Sequence, residues 1–228
     1  MRTKRYIALI LAAALALALC GCGANGNDGK HAAMSIWPAQ LSEEEAALTE
    51  LLDIGMDPYR IYDFQMGDSP NGVQSILIRA YELSDGEWAV KSESSRSFTD
   101  AAGRLALTFG KMTDGVRVAW QGESHSGGMS FTMEAEDDVS AMNFVTSKLS
   151  GTPAMEFDQE VPLVLQFVTS QNEFSTYDVD YFGMPRELAK RGYEHVYAIT
   201  VAFSKNAPAS PDVTEPSAAP SAEPSPQS

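Results

Sequence analysis

The sequence predicts a mainly β protein, a single antiparallel, sandwich-like domain with an amphipathic helix before it and a disordered tail after it. Three observations lead there. Apolar residues recur at alternate positions in a series of short runs between residues 62 and 203, the period of strands with one buried face. Asp85-Gly86 and Asp114-Gly115 fall between such runs, and Asp-Gly suits a hairpin turn because both residues tolerate positive φ. No long helical pattern intervenes, so the crossovers of a parallel sheet are not expected.

The start of the chain is of another kind. Arg2, Lys4 and Arg5 precede residues 6–19, fourteen positions without a charge and mostly Ala and Leu. A membrane-spanning helix needs about 20 apolar residues, so this segment is too short to span. A basic start, a short apolar middle and small residues behind it are the layout of a cleaved secretory signal. Leu19-Cys20-Gly21-Cys22 follows. The segment resembles the lipobox of bacterial lipoproteins, in which Leu three positions before a cysteine and a small residue one position before it mark that cysteine for lipidation. Cys22 has Leu19 and Gly21 in those places, whereas Cys20 has Leu17 and the bulkier Leu19.

That resemblance is confined to residues 1–22. It implies a signal peptide over residues 1–21, a diacylglyceryl thioether on Cys22, and attachment to the cell membrane on its extracytoplasmic side. Two acyl chains hold firmly where one is marginal, at about 0.8 kcal/mol per buried CH₂. With Cys20 removed and Cys22 acylated no thiol would remain, which excludes disulfides, thiol catalysis and cysteine-bound metal.

Residues 22–40 are rich in Gly, Asn and Ala and predict a flexible spacer ahead of a globular domain at 41–205. Ser42 followed by Glu43, Glu44 and Glu45 predicts a helix start, with Ser42 capping, Glu45 reaching back and the acids matching the positive end of the dipole. Leu48, Leu51 and Leu52 then share a face, and Gly55 ends the helix. Strand patterns follow at Tyr62, Phe64 and Met66, and at Ile76, Ile78 and Ala80. This second run continues through Leu83 and across Asp85-Gly86 to Trp88, Ala89 and Val90. Leu105, Leu107 and Phe109 form another run, as do Val116, Val118 and Trp120, and Met129, Phe131 and Met133.

Residues 134–159 read as a long, acidic connection with a short element near 142–149. Alternation returns at Val161, Leu163, Leu165 and Phe167, with Pro162 restricting that strand to an edge or itself to the strand's first residues. Pro185 and Gly192 bracket a short helix. Residues 193–203 carry apolar or aromatic side chains on both faces, which predicts a central strand. Residues 206–228 hold six of the twelve prolines among Ser, Ala, Asp and Glu, with no aromatic, and predict a disordered tail.

The formal net charge is −15, and loss of the three basic residues of the signal makes it −18. Such a chain repels phosphate, so nucleic acid is excluded as a partner. No phosphate-binding glycine loop, dinucleotide fingerprint or zinc-ligand spacing occurs, and no metal or cofactor is expected. Glu134, Glu136, Asp137 and Asp138, and the pair Asp178 and Asp180, lack the spacing of a calcium loop and read as solvated acids. His125 lies between Ser124 and Ser126 in a loop, and neighbouring side chains point apart instead of pairing as nucleophile and base.

Tyr193, His195 and Tyr197, two residues apart, fall on one strand face. With Trp88 and Trp120 they form the candidate ligand-binding set, since a rank of aromatics can stack a sugar ring, although the same pattern also packs a core. The leading expectation is a non-catalytic binding or adhesion module for a wall glycan, a peptide or a protein. Alternatives are a surface hydrolase using carboxylates or His125, and the solute-binding component of a transporter, for which the βαβ units are missing.

Overall fold

The computed structural model describes residues 34–51, 59–67, 72–73, 75–133, 139, 141–172 and 175–208. The signal segment, Cys22, Leu52, Gly55, the acidic run at 134–138 and the tail beyond residue 208 lie outside these. Ten strands form: β1 (Ser35–Pro38), β2 (Tyr59–Gln65), β3 (Ser75–Ser84), β4 (Glu87–Ser97), β5 (Ala102–Phe109), β6 (Val116–Gly122), β7 (Ser126–Phe131), β8 (Asn143–Lys148), β9 (Val161–Thr169) and β10 (His195–Ser204). The α-helices among the described residues are α1 (Glu43–Leu51) and α2 (Pro185–Ala189). None among the described residues is long and apolar enough to cross a membrane.

The strands pair antiparallel in two five-stranded sheets, ordered β1-β2-β5-β6-β7 and β4-β3-β10-β9-β8. They stack as a sandwich, the fold class that the alternation predicts. Tyr62, Phe64, Leu105, Leu107 and Val118 of the first sheet meet Ile76, Ile78, Ile199, Val201 and Phe203 of the second, all of them buried. The Phe64 ring lies 4.7 Å from that of Phe203 and 5.5 Å from that of Phe98, and the Tyr62 hydroxyl donates to the Leu163 carbonyl at 3.1 Å. Each such apolar side chain contributes about 1.5–3 kcal/mol on burial, and these supply the driving force.

Strand β10 is central, as predicted, and both of its faces are covered. Ile199, Val201 and Phe203 point between the sheets, while Val196, Ala198 and Thr200 point to the outer face of the second sheet. A 3₁₀ turn (Val179–Gly183) and α2 close over that outer face. The ring of Phe182 stacks on Trp88 at 4.9 Å and meets Tyr81 edge-on at 5.5 Å.

Turn chemistry follows the residues. Asp85 (φ 51°) and Gly86 (φ 77°) make the tight β3–β4 hairpin. Asp114-Gly115 also ends a hairpin connection, but through a 3₁₀ turn (Met112–Asp114) and not a two-residue loop. Pro162 is the second residue of β9, where Leu163 is an extra, bulged residue between the pairs Ile199–Val164 and Thr200–Pro162. The bulge breaks the predicted alternation, so Val164, Gln166 and Val168 pair beside the inward residues of β10, while Leu165 and Phe167 turn outward under the covering segment.

One expectation at the N-terminal side needs correction. The stretch assigned to a flexible spacer contains β1, whose Ser35 and Ile36 are fully buried. Four residues ending in Pro38 are too short a run to show a period against the Gly- and Asn-rich sequence before them. In α1 the capping box is present, with the Glu45 N–H donating to Ser42 Oγ at 3.2 Å and the Ser42 N–H to Glu45 Oε2 at 2.9 Å. Of its predicted apolar face, Leu48 is 55% exposed, and the side chains of Leu51 and Leu52 lie outside the described residues. Arg104 ties the helix to the sheet, bonding Glu45 Oε1 at 2.6 Å and Asp63 Oδ1 at 2.7 Å.

Candidate functional site

The five aromatic candidates do not share a groove. Trp120 is 5% exposed and closes the core against Gly127, where an added methyl would come within 2.5 Å of the indole. Trp88 lies under the covering segment, its indole N–H donating to the Phe182 carbonyl at 2.8 Å. Tyr197 is fully buried and its ring stacks parallel on His195 at 5.8 Å. Tyr193 departs from that face. Strand β10 begins only at His195, so the two-residue period does not extend back to Tyr193, whose ring rests at 4.9 Å on Phe167, an outward residue of β9. The predicted rank of three is therefore split between the two faces of the sheet.

His195 and Tyr197 belong instead to an interior polar cluster. His195 Nδ1 is 2.8 Å from Glu82 Oε1, and Glu82 Oε2 is 2.7 Å from Nζ of Lys91, a bulged residue of β4 that reaches back to it. Burial first, and the Glu82 charge second, push the Tyr197 hydroxyl well above the usual phenol range. The Tyr197 hydroxyl and His195 Nε2 have no hydrogen-bond partner among the described residues.

His125 packs beside Asp100 and Thr99. Its Nδ1 is 3.4 Å from both Asp100 Oδ2 and Thr99 Oγ1, so both neighbours crowd the same nitrogen. The Asp100 carboxylate accepts the N–H groups of Ser124 at 3.1 Å and His125 at 2.9 Å and thereby locks the β6–β7 turn. Burial works to raise the Asp100 pKa, but these N–H bonds outweigh it and the carboxyl titrates low. Among the described residues no group of three or more His, Cys, Asp or Glu is placed to hold a metal ion.

The side chains that do converge on an open site lie where β9 leaves the second sheet and β10 enters it. A pocket of about 210 Å³ is walled by Thr169, Gln171, Ser175, Tyr177, Arg191 and Tyr193. Local sequence explains the convergence. Pro185 starts α2, the Arg191 N–H bonds back to the Leu188 carbonyl at 2.9 Å, and Gly192 at φ 77° reverses the chain as few other residues can. That turn places Arg191 on one side and Tyr193 on the other.

The Arg191 guanidinium carbon sits 4.7 Å from the centre of the Tyr177 ring, a cation–π contact. Tyr177 itself packs on Phe167 at 6.1 Å and on Tyr181 at 4.9 Å, and the Tyr193 hydroxyl donates to the Ser175 carbonyl. No carboxylate among the described residues pairs with Arg191. The adjacent Glu194 is engaged elsewhere, taking the hydroxyl of Ser170 and its N–H at 3.1 Å, and the Ser170 hydroxyl bond above all pulls its pKa down to about 2.

A second hollow, about 550 Å³, lies beside the β5–β6 turn against Thr108, Asp114, Arg117 and Ser130. It lacks the ring-backed guanidinium of the smaller site. Pockets for whole small molecules span about 300–1,000 Å³, so the smaller one suits a single residue of a larger ligand. With rings, hydroxyls, an amide and a cation, it carries groups that can hold a polar ligand. Of the predicted site residues only Tyr193 lines it. Tyr177 and Arg191 carried no signal in the sequence, because only the covering segment brings them together. Comparison with protein families, with curated proteins and with solved structures gives no match.

Proposed function

We propose that this chain is a lipid-anchored protein of the extracytoplasmic membrane face that binds a cell-wall glycan, seating one of its sugars in the Arg191–Tyr177–Tyr193 pocket. The observation that carries the binding half is the pocket itself, small, polar, ring-walled and holding a guanidinium with no acidic partner among the described residues. Support for the anchor comes from Leu19-Cys20-Gly21-Cys22 behind a basic and apolar segment. On this reading the acidic surface keeps a tethered domain soluble, and the hydroxyl and amide groups of the pocket exchange water for sugar hydroxyls.

One experiment tests both halves in a bacterial host producing the full chain. Radioactive fatty acid should label the wild type and not Cys22→Ser. Solubilised wild-type protein should sediment with insoluble wall material, and Tyr177→Leu should weaken that binding at least about tenfold, equivalent to 1.4 kcal/mol. Label persisting on Cys22→Ser would refute the anchor. Equal sedimentation of the Tyr177 variant, with circular dichroism unchanged, would refute the pocket.

A further inference from the structure

We infer that the pocket selects a sugar bearing a carboxylate, with Arg191 as the specificity-determining residue, an inference that rests on the glycan reading above. A guanidinium is a planar fork of donors that matches a carboxylate through two parallel hydrogen bonds. Here the fork is held in advance, because the Tyr177 ring supports it at 4.7 Å and the chain on either side is fixed by the bond to Leu188 and the turn at Gly192. Neither the Glu187–Lys190 pair on the preceding helical turn nor the Ser170-bound Glu194 takes it as a partner. A ring-backed cation in a small polar pocket, with no acidic partner among the described residues, calls for an anion.

Charge decides which anion. The chain carries a net −15, and a phosphate monoester adds nearly two negative charges where a carboxylate adds one. Screening confines the adverse field to about 8–10 Å, so a single charge facing Arg191 is tolerated better than a double one. The remaining walls decide what bears the carboxylate. Thr169, Gln171, Ser175 and Tyr193 wall the pocket with polar groups, of which the Tyr193 hydroxyl donates to the Ser175 carbonyl and the Thr169 hydroxyl accepts the Gln171 N–H at 3.1 Å. A sugar ring, whose rim hydroxyls both donate and accept, adds to such a network at several points, whereas the side chain of a peptide's terminal residue would bring carbon against a polar wall.

The test uses the full chain in detergent, titrated by NMR with the methyl glycosides of glucuronate and galacturonate, those of glucose and galactose, and N-acetylalanine. At least one uronate should bind about tenfold more tightly than its neutral counterpart and than N-acetylalanine. Arg191→Gln should weaken the uronate about tenfold and so abolish that preference, and Arg191→Lys should restore part of it. Arg191 is exposed, so both variants keep the core intact. Neutral sugars binding as well as uronates would overturn the carboxylate inference and leave the glycan reading standing. Preference for N-acetylalanine would overturn the choice of a sugar. Binding of no sugar at all would overturn both readings together.

Discussion

Gln166 should be the strongest single polar tie between the two sheets. It is fully buried opposite Tyr197, and it reaches across the sandwich to the β5–β6 loop. Its Oε1 accepts the Met112 N–H at 2.8 Å, and its Nε2 donates to the Gly110 carbonyl at 2.8 Å and to Thr146 Oγ1 at 3.1 Å. Gln166→Leu removes all three bonds with little change of volume. Met112 is buried, so its N–H would be left without a partner at a cost of about 1–3 kcal/mol, while Gly110 is exposed and its carbonyl can turn to water. The leucine recovers part of this by burying carbon in place of an amide, and we expect a net loss of about 2 kcal/mol.

For a domain of this size each kcal/mol moves Tm by about 2–4 °C, so the variant should melt about 4–8 °C lower. Urea unfolding at pH 7 measures the free energy, and amide exchange in residues 110–115 should quicken because the loop loses its anchor. Thr146→Val, which removes only the longest of the three bonds, should cost about 0.5–1 kcal/mol. A Gln166→Leu protein within 0.5 kcal/mol of wild type, with loop exchange unchanged, would refute the tie.

Two other outcomes follow from the same structure. Gly127→Ala places a methyl 2.5 Å from Trp120 Cζ2, so the indole or the strand must shift. A loss of about 1–3 kcal/mol is expected, with a changed near-ultraviolet dichroism, and an unaltered unfolding curve would show that β7 yields freely. Glu194 titrates at about 2 in the folded chain against 4.5 for the free group. Its contribution is therefore present above about pH 4.5 and is lost as the pH falls toward 2. Glu194→Gln should flatten the acid limb of the stability profile in that window, and a limb of unchanged slope would refute the Ser170 contact as its cause.

How far each feature could be read depended on the distance over which it is encoded. The hairpin at Asp85-Gly86 was legible because two adjacent residues must both take positive φ. The capping box joins Ser42 and Glu45, three positions apart, and it forms as read. The central position of β10 was legible because a strand covered on both faces must be apolar on both. The face of Gln166 was not legible, since the bulge at Leu163 shifts the alternation by one residue and only pairing with β10 places it.

The sequence by itself therefore determined the class of fold. Period-two patterning and turn residues act on neighbours, and they require antiparallel sheets with one common core. It also contains the lipobox-like motif, which is local in the same sense. Only the tertiary structure decided which aromatics are core and which can meet a ligand. Trp120, His195 and Tyr197 look as available in sequence as Tyr193 does, but sheet stacking buries three of them and the reversal at Gly192 turns the fourth outward. Tyr177 and Arg191, fourteen positions apart, become neighbours because the segment between them folds over the outer face of the second sheet. A contact made through packing leaves no period along the chain, and for that physical reason the site could be found only in the fold.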